Sequence, residues 1–179
     1  MRKQKQELTI LREITRSDTA TVYSIRIGDS SDSLVLKQYK KVKHFQAEKR
    51  ALESLNRAFP GAMGIPQLRQ EVQCPDGSQA LILDNLGITL KQYVSLYGSS
   101  KDDLIRIAVI LINVLRMVHM CGLIHGNVKP DNIMMDTHNK PAKAYLIDYA
   151  FSYPYLDERG DHIPRKHATS FVGSPKYCS

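Results

Sequence analysis

The sequence predicts an α+β fold: a five-stranded antiparallel sheet, interrupted once by a helix, followed by a mainly helical segment. Three observations support this. Short β-branched runs bounded by turn residues fill residues 8–39 and 68–84. One stretch of helical periodicity lies between them. After Gly87 the apolar spacing becomes helical.

Leu8 to Ile14 and Thr21 to Ile27 mix β-branched and polar residues as half-buried strands do. Gly28-Asp29-Ser30-Ser31-Asp32-Ser33 is a turn cluster, and Leu34 to Tyr39 reads as a third strand. From His44 to Phe59, Ala47, Ala51, Leu52, Leu55 and Phe59 recur at helical spacing, and Pro60-Gly61 ends the run. Leu68 to Gln73 and Gln79 to Asp84 flank Pro75-Asp76-Gly77, a hairpin signal. Ser100 can cap a helix whose first turn holds Asp102 and Asp103, favourable at the positive end of the helix dipole. Leu104, Ile107, Ala108, Leu111, Leu115 and Val118 then suggest one broad apolar face, with Gly122 as the stop. Two short strands, Ile133 to Met135 and Ala144 to Ile147, bracket the loop His138 to Lys143, and Ser152 to Ser179 reads as irregular. There is no internal repeat.

A chain of 179 residues can bury a core as one domain or two small lobes. Its 42% hydrophobic and 24% charged content is ordinary for a globular protein. The net charge of +7 gathers in Arg2, Lys3 and Lys5, in Lys37, Lys40, Lys41 and Lys43, and in Arg165, Lys166 and His167. These read first as a basic N-terminal tail, residues 1–7, and solvated faces; an acidic protein partner is the functional alternative. No basic stripe interleaves with aromatics, so no nucleic-acid partner is expected. Cys74, Cys121 and Cys178 lack metal-ligand spacing and suit reduced thiols. Met1 to Glu7 has no apolar signal core, and the run Ile107 to Ile112 is too short to span a bilayer. A soluble cytoplasmic or nuclear protein with no membrane partner is the expectation.

The most specific stretch is Ile124-His125-Gly126-Asn127-Val128-Lys129-Pro130-Asp131-Asn132, followed by Asp148-Tyr149-Ala150. In spacing it resembles the catalytic loop and magnesium-binding Asp of the eukaryotic protein kinase superfamily. The resemblance runs from about Leu8 to the last residue. It is strongest to the casein kinase 1 and vaccinia-related kinase group, through Leu83-Asp84-Asn85-Leu86-Gly87-Ile88-Thr89-Leu90, His162-Ile163-Pro164, Gly173-Ser174-Pro175-Lys176-Tyr177 and His125-Gly126. It implies a protein kinase-like bilobal fold: an N-lobe and hinge over residues 8–86, and an incomplete helical C-lobe over 87–179 that ends in the activation segment.

The resemblance also implies ATP and Mg2+ as cofactors. Lys37 would neutralise the α- and β-phosphates, paired with Glu48 in preference to Glu53. Thr15, Ser17 and Ala20 fall at the glycine positions of the phosphate-covering loop, and Val22 at the valine after it. Leu83 would be the gatekeeper, with the backbone of Asp84 and Leu86 meeting adenine. Lys129 would touch the γ-phosphate, and Asn132 and Asp148 would hold magnesium. Taken singly, a strand Lys is ordinarily a solvated edge residue and an Asp after Tyr-Leu-Ile a plain strand end. Their joint occurrence favours the functional reading.

Several residues depart from the family pattern. Side chains at the three glycine positions hinder close backbone approach to phosphates, although the Thr15 and Ser17 hydroxyls offer donors. Asn127 stands where the family keeps the proton-accepting Asp, and a carboxamide cannot take that proton. Gly126 replaces an Arg that can receive a loop phosphate, and Ala150 replaces a glycine. The family's domain continues past this point, so the resemblance implies a piece of a longer product or a partner covering the apolar face of Leu104 to Val118. A serine/threonine kinase-like, ATP-binding transferase fold with impaired catalysis, a pseudokinase or a weak enzyme, is the leading expectation. An active kinase and a nucleotide-independent interaction module are the alternatives.

Overall fold

The computed structural model describes residues 7–30, 33–137, 142–164 and 174–177. Most of the N-terminal tail, the cluster Arg165-Lys166-His167, Gly173 and Cys178 lie outside them. Two compact units are formed, one from Met1–Phe45 and Leu68–Asn85, the other from Gln46–Gln67 and Leu86–Ser179.

The first unit contains the expected sheet. Strands β1 (Leu8–Arg16), β2 (Ala20–Ile27) and β3 (Leu34–Tyr39) precede helix α1 (Val42–Ala58), and β4 (Leu68–Gln73) and β5 (Gln79–Asp84) follow it. All pairings are antiparallel in the order β1-β2-β3-β5-β4. One face buries Ile25, Leu34, Leu36, Ala80 and Ile82, with Leu8, Tyr23, Ile27, Val72 and Cys74 packed against them. Burying an Ile or Leu this fully contributes about 1.5–3 kcal/mol. A one-residue slip would expose the whole set, so this face fixes the register. The β4–β5 turn closes through Asp76, which accepts hydrogen bonds from the Ser78 N–H (3.0 Å) and hydroxyl (2.6 Å).

In the second unit, β6 (Ile88–Thr89) leads into α2 (Leu90–Tyr97), and α3 (Lys101–Met120) follows. Helix α2 is an addition to the sequence reading. Thr89 and Gln92 form a capping box at its start, and none of its residues is buried, so it leaves no apolar stripe to read. The expected Ser100 cap of α3 is present, again as a capping box, with Asp103. Gly122, at φ +70°, follows the C-cap residue Cys121 and donates to the His119 carbonyl.

The single apolar face expected for α3 requires correction. Ile107, Val114 and Val118 are buried, whereas Leu104 and Ala108 are exposed, together with Ile105, Val109 and Ile112. Apolar residues occupy two faces of this helix, and periodicity alone had merged them.

Beyond α3, β7 (Leu123–Ile124), β8 (Ile133–Asp136), β9 (Lys143–Leu146) and β10 (Tyr153–Pro154) complete the unit. They form a three-stranded sheet in the order β6-β8-β9 and a β7–β10 pair. Among the described residues, no helix is long and apolar enough to cross a membrane.

Candidate functional site

The loop after β7 folds around His125, which is 1% exposed. The Asn127 N–H donates to His125 Nδ1 at 3.2 Å, which leaves Nε2–H to donate to the Ile147 carbonyl at 3.1 Å. That network selects the neutral Nε2–H tautomer. The Tyr149 ring meets the imidazole edge-on, with centroids 4.6 Å apart. Gly126 takes φ +76°, and a Cβ there would stand 2.6 Å from the Phe151 carbonyl oxygen. Its glycine therefore answers a backbone requirement that the sequence reading, which saw only a lost Arg, did not register.

Four predicted residues meet in this unit. Asn127 Nδ2 donates to Asp148 Oδ2 at 3.1 Å, and Asn132 Nδ2 reaches the same oxygen at 3.5 Å while donating to the Asn127 carbonyl at 2.8 Å. The Ser174 hydroxyl donates to Asn127 Oδ1 at 3.2 Å, and Lys129 Nζ donates to Ser174 Oγ at 3.0 Å. Asn127 and Asn132 are buried. Ser174 was missed as a site residue, although it lies within the Gly173 to Tyr177 segment that carried the resemblance. Asp148 adopts φ 68°, ψ 65°, the one non-glycine residue with positive φ among those described. Such a conformation persists where surrounding contacts over-determine it, commonly at functional sites.

Two further residues complete this neighbourhood. Glu48 is buried on α1, whereas Glu53 is exposed and faces Lys49 at 4.0 Å. The Tyr149 hydroxyl is buried and has no hydrogen-bond partner among the described residues. Burial first, then the charge of Glu48, pushes its pKa far above the ordinary phenol value, so it stays protonated.

The remaining predicted residues, apart from half-buried Leu86 in the second unit, belong to the first, all in its sheet except Ser17 of the β1–β2 turn. Val22 pairs with Lys37 and Lys37 with Leu81. Because side chains alternate, Thr15, Ala20, Val22, Lys37 and Leu83 share the face opposite the apolar cluster. Lys37 is 9% exposed, with its ammonium 5.4 Å from the Tyr39 ring centroid. A lysine this buried differs from the solvated edge residue of the plainer reading. Asp84 receives Arg69 in a two-point ion pair at 2.5 and 3.2 Å, and the Asn85 N–H donates to the Ser33 carbonyl.

The β1–β2 turn is closed by its own side chain. Ser17 Oγ accepts from the N–H groups of Thr19 (3.3 Å) and Ala20 (3.2 Å) and donates to the Ala20 carbonyl (3.1 Å). Lys40 Nζ donates to the Ser17 carbonyl. The N–H groups of Ser17, Thr19 and Ala20, and the Ser17 hydroxyl itself, are thus engaged locally.

Over its whole length the chain is 26% identical to a probable casein kinase I homolog of Encephalitozoon cuniculi. The match supports a protein kinase-like relationship. The chain spans 56% of that relative, about half its length. No family model matches. With this relationship, the five-stranded sheet and its helix are those of a kinase-like N-lobe, and the helical segment that of a partial C-lobe.

A kinase-like chain implies ATP and Mg2+ as cofactors. Magnesium takes hard oxygen ligands, typically one or two carboxylates plus phosphate oxygens and water. Asp148 supplies one carboxylate, and the Asn132 side chain lies beside it. Among the described residues, no group of three or more His, Cys, Asp or Glu side chains could hold a metal. These residues fit a cation that arrives with phosphate oxygens, and do not form a closed protein cage.

Proposed function

We propose that this chain is a serine/threonine kinase-like domain of the casein kinase 1 type that binds ATP with magnesium and transfers phosphate poorly. One observation carries the reading: Asn127, Lys129, Asn132 and Asp148 are linked by hydrogen bonds in one loop cluster. Independent strand ends and surface residues would have no reason to converge in this way.

ATP, when bound with magnesium, supplies the transferable phosphoryl group and the cation that offsets its charge. Lys37 would hold the α- and β-phosphates, and Leu83, Asp84 and Leu86 would receive the adenine. Lys129 balances the γ-phosphate, while Asn132 and Asp148 face the cation. Asn127 Oδ1 can orient an acceptor hydroxyl, as it already orients Ser174. It cannot take the hydroxyl proton, and losing a general base typically costs about 10²–10⁴-fold. Because phosphoryl transfer rests mostly on positioning and charge stabilisation, weak activity survives.

Thermal unfolding with Mg·ATP tests the binding step. The melting midpoint rises with ATP concentration, and Lys37→Ala abolishes the rise. A flat midpoint in the native chain refutes nucleotide binding. The second reading, an interaction module, is favoured by the exposed Leu104, Ile105, Val109 and Ile112 of α3, a surface suited to a protein partner.

A further inference from the structure

Helix α3 carries a stripe unlike the solvent face of an ordinary surface helix. Asp102, Ile105, Val109, Ile112, Arg116 and His119 recur at alternating steps of three and four residues, the 3.5-residue period of a coiled-coil seam. All six are exposed, on the side opposite the buried Ile107 and Val114. The stripe is graded along the axis: an acid at its start, β-branched residues in the middle, bases at its end. Asp103 receives Arg106 at 2.6 Å, whereas Asp102 and Arg116 have no ion pair among the described residues. At ~1.5 Å rise per residue they stand about 21 Å apart, too far to meet within one copy.

A second copy laid antiparallel across a two-fold axis turns this gradient into a match. Val109 falls opposite Ile112, and Ile105 opposite the aliphatic stem of Arg116. Asp102 falls opposite His119 and within one turn of Arg116. A parallel copy would set Asp102 on Asp102 and Arg116 on Arg116, so charge selects the antiparallel pairing. That pairing also opposes the two helix dipoles favourably. The C-terminal half of the stripe borders an open apolar groove lined by Ile112, Leu115, Met120 and Tyr155. Ile105 of the other copy lies over it, and the two-fold axis makes this contact twice. We propose that the exposed face of α3 is the interface of an antiparallel homodimer of this chain. The inference asks nothing of nucleotide binding.

The test is sedimentation equilibrium of the whole chain without nucleotide, over a range of concentrations. The native chain is a monomer–dimer equilibrium that closes at two copies. Ile112→Asp weakens the dimer by about a hundredfold or more, because two buried isoleucines are lost per dimer. Asp102→Arg and Arg116→Asp, taken singly, each weaken it by about tenfold, and the double variant recovers most of that loss. These positions are exposed, so circular dichroism of each variant matches the native chain. Should Ile112→Asp fail to fold, the charge reversals carry the test alone. The proposal is overturned if the native chain stays monomeric, as it does when a different protein covers this face, or grows into open assemblies. It is equally overturned if Ile112→Asp dimerises as the native chain does, or if the double charge reversal is no tighter than either single one. A failure to bind ATP would defeat the proposed function and leave these association constants unchanged.

Discussion

Asn127 and Asp148 are joined by an amide-to-carboxylate hydrogen bond of 3.1 Å. An Asp–Asp pair could not make it. On the proposed reading, Asn127 therefore supplies a structural contact at the position where a proton acceptor is withdrawn. Both consequences follow from one exchange of oxygen for nitrogen.

The β1–β2 turn offers a prediction about affinity. Ser17 Oγ occupies the N–H groups of Thr19 and Ala20. Ser17→Gly frees both donors and permits closer backbone approach to phosphate. ATP affinity should rise about tenfold, the worth of one charge-assisted hydrogen bond. Calorimetric titration checks this, and unchanged affinity would mean that the turn does not meet the phosphates.

Gly126 predicts a stability loss. Gly126→Ala places a Cβ at a left-handed backbone position, costing about 1–2 kcal/mol. The 2.6 Å approach to the Phe151 carbonyl adds to that cost. Urea unfolding should show a lower midpoint with an unchanged slope.

The Tyr149 hydroxyl predicts a gain. It is buried without a hydrogen-bond partner among the described residues, while its ring packs on His125. Tyr149→Phe keeps the ring and removes the orphaned group, and should stabilise the fold by about 1 kcal/mol. A loss of stability would show that the hydroxyl has a partner in solution.

Acid sensitivity follows from the cap of α3. The Ser100 hydroxyl, then its N–H, and then Arg106 hold the Asp103 carboxyl below its ordinary range. A lowered folded-state pKa contributes stability that is present above the unfolded value and lost as pH falls through the folded one. Ser100→Ala should lower the melting midpoint by about 2–4 °C at neutral pH. The difference from the native chain should narrow as pH falls below the ordinary carboxylate range and through the lowered folded-state value, where that carboxyl becomes protonated in both states.

The sheet was legible in the sequence because alternation, turn residues and a buried face all specify one register. Helix α2 was not, because it buries nothing; only Thr89 and Gln92 mark it, as a capping box. On α3, apolar residues fall on two faces, so spacing could not tell Ile107 and Val114 from Leu104 and Ala108. At the candidate site, motif spacing singled out Asn127, Lys129, Asn132 and Asp148, which the structure brings together. Ser174 is distant in the chain, and the left-handed Asp148 depends on tertiary contacts, so neither was visible. Gly126 was read for the side chain it lacks, whereas its backbone geometry is the informative property.

The central claim is that a kinase-like nucleotide site persists with its proton acceptor replaced. The most direct measurement is transfer of labelled γ-phosphate from Mg·ATP to an acidic Ser/Thr substrate by the native chain and by Asn127→Asp, side by side. The account predicts weak transfer by the native chain and an increase approaching the 10²–10⁴-fold range of a general base in the variant. Equal rates in the two proteins, or no transfer by either, would contradict it.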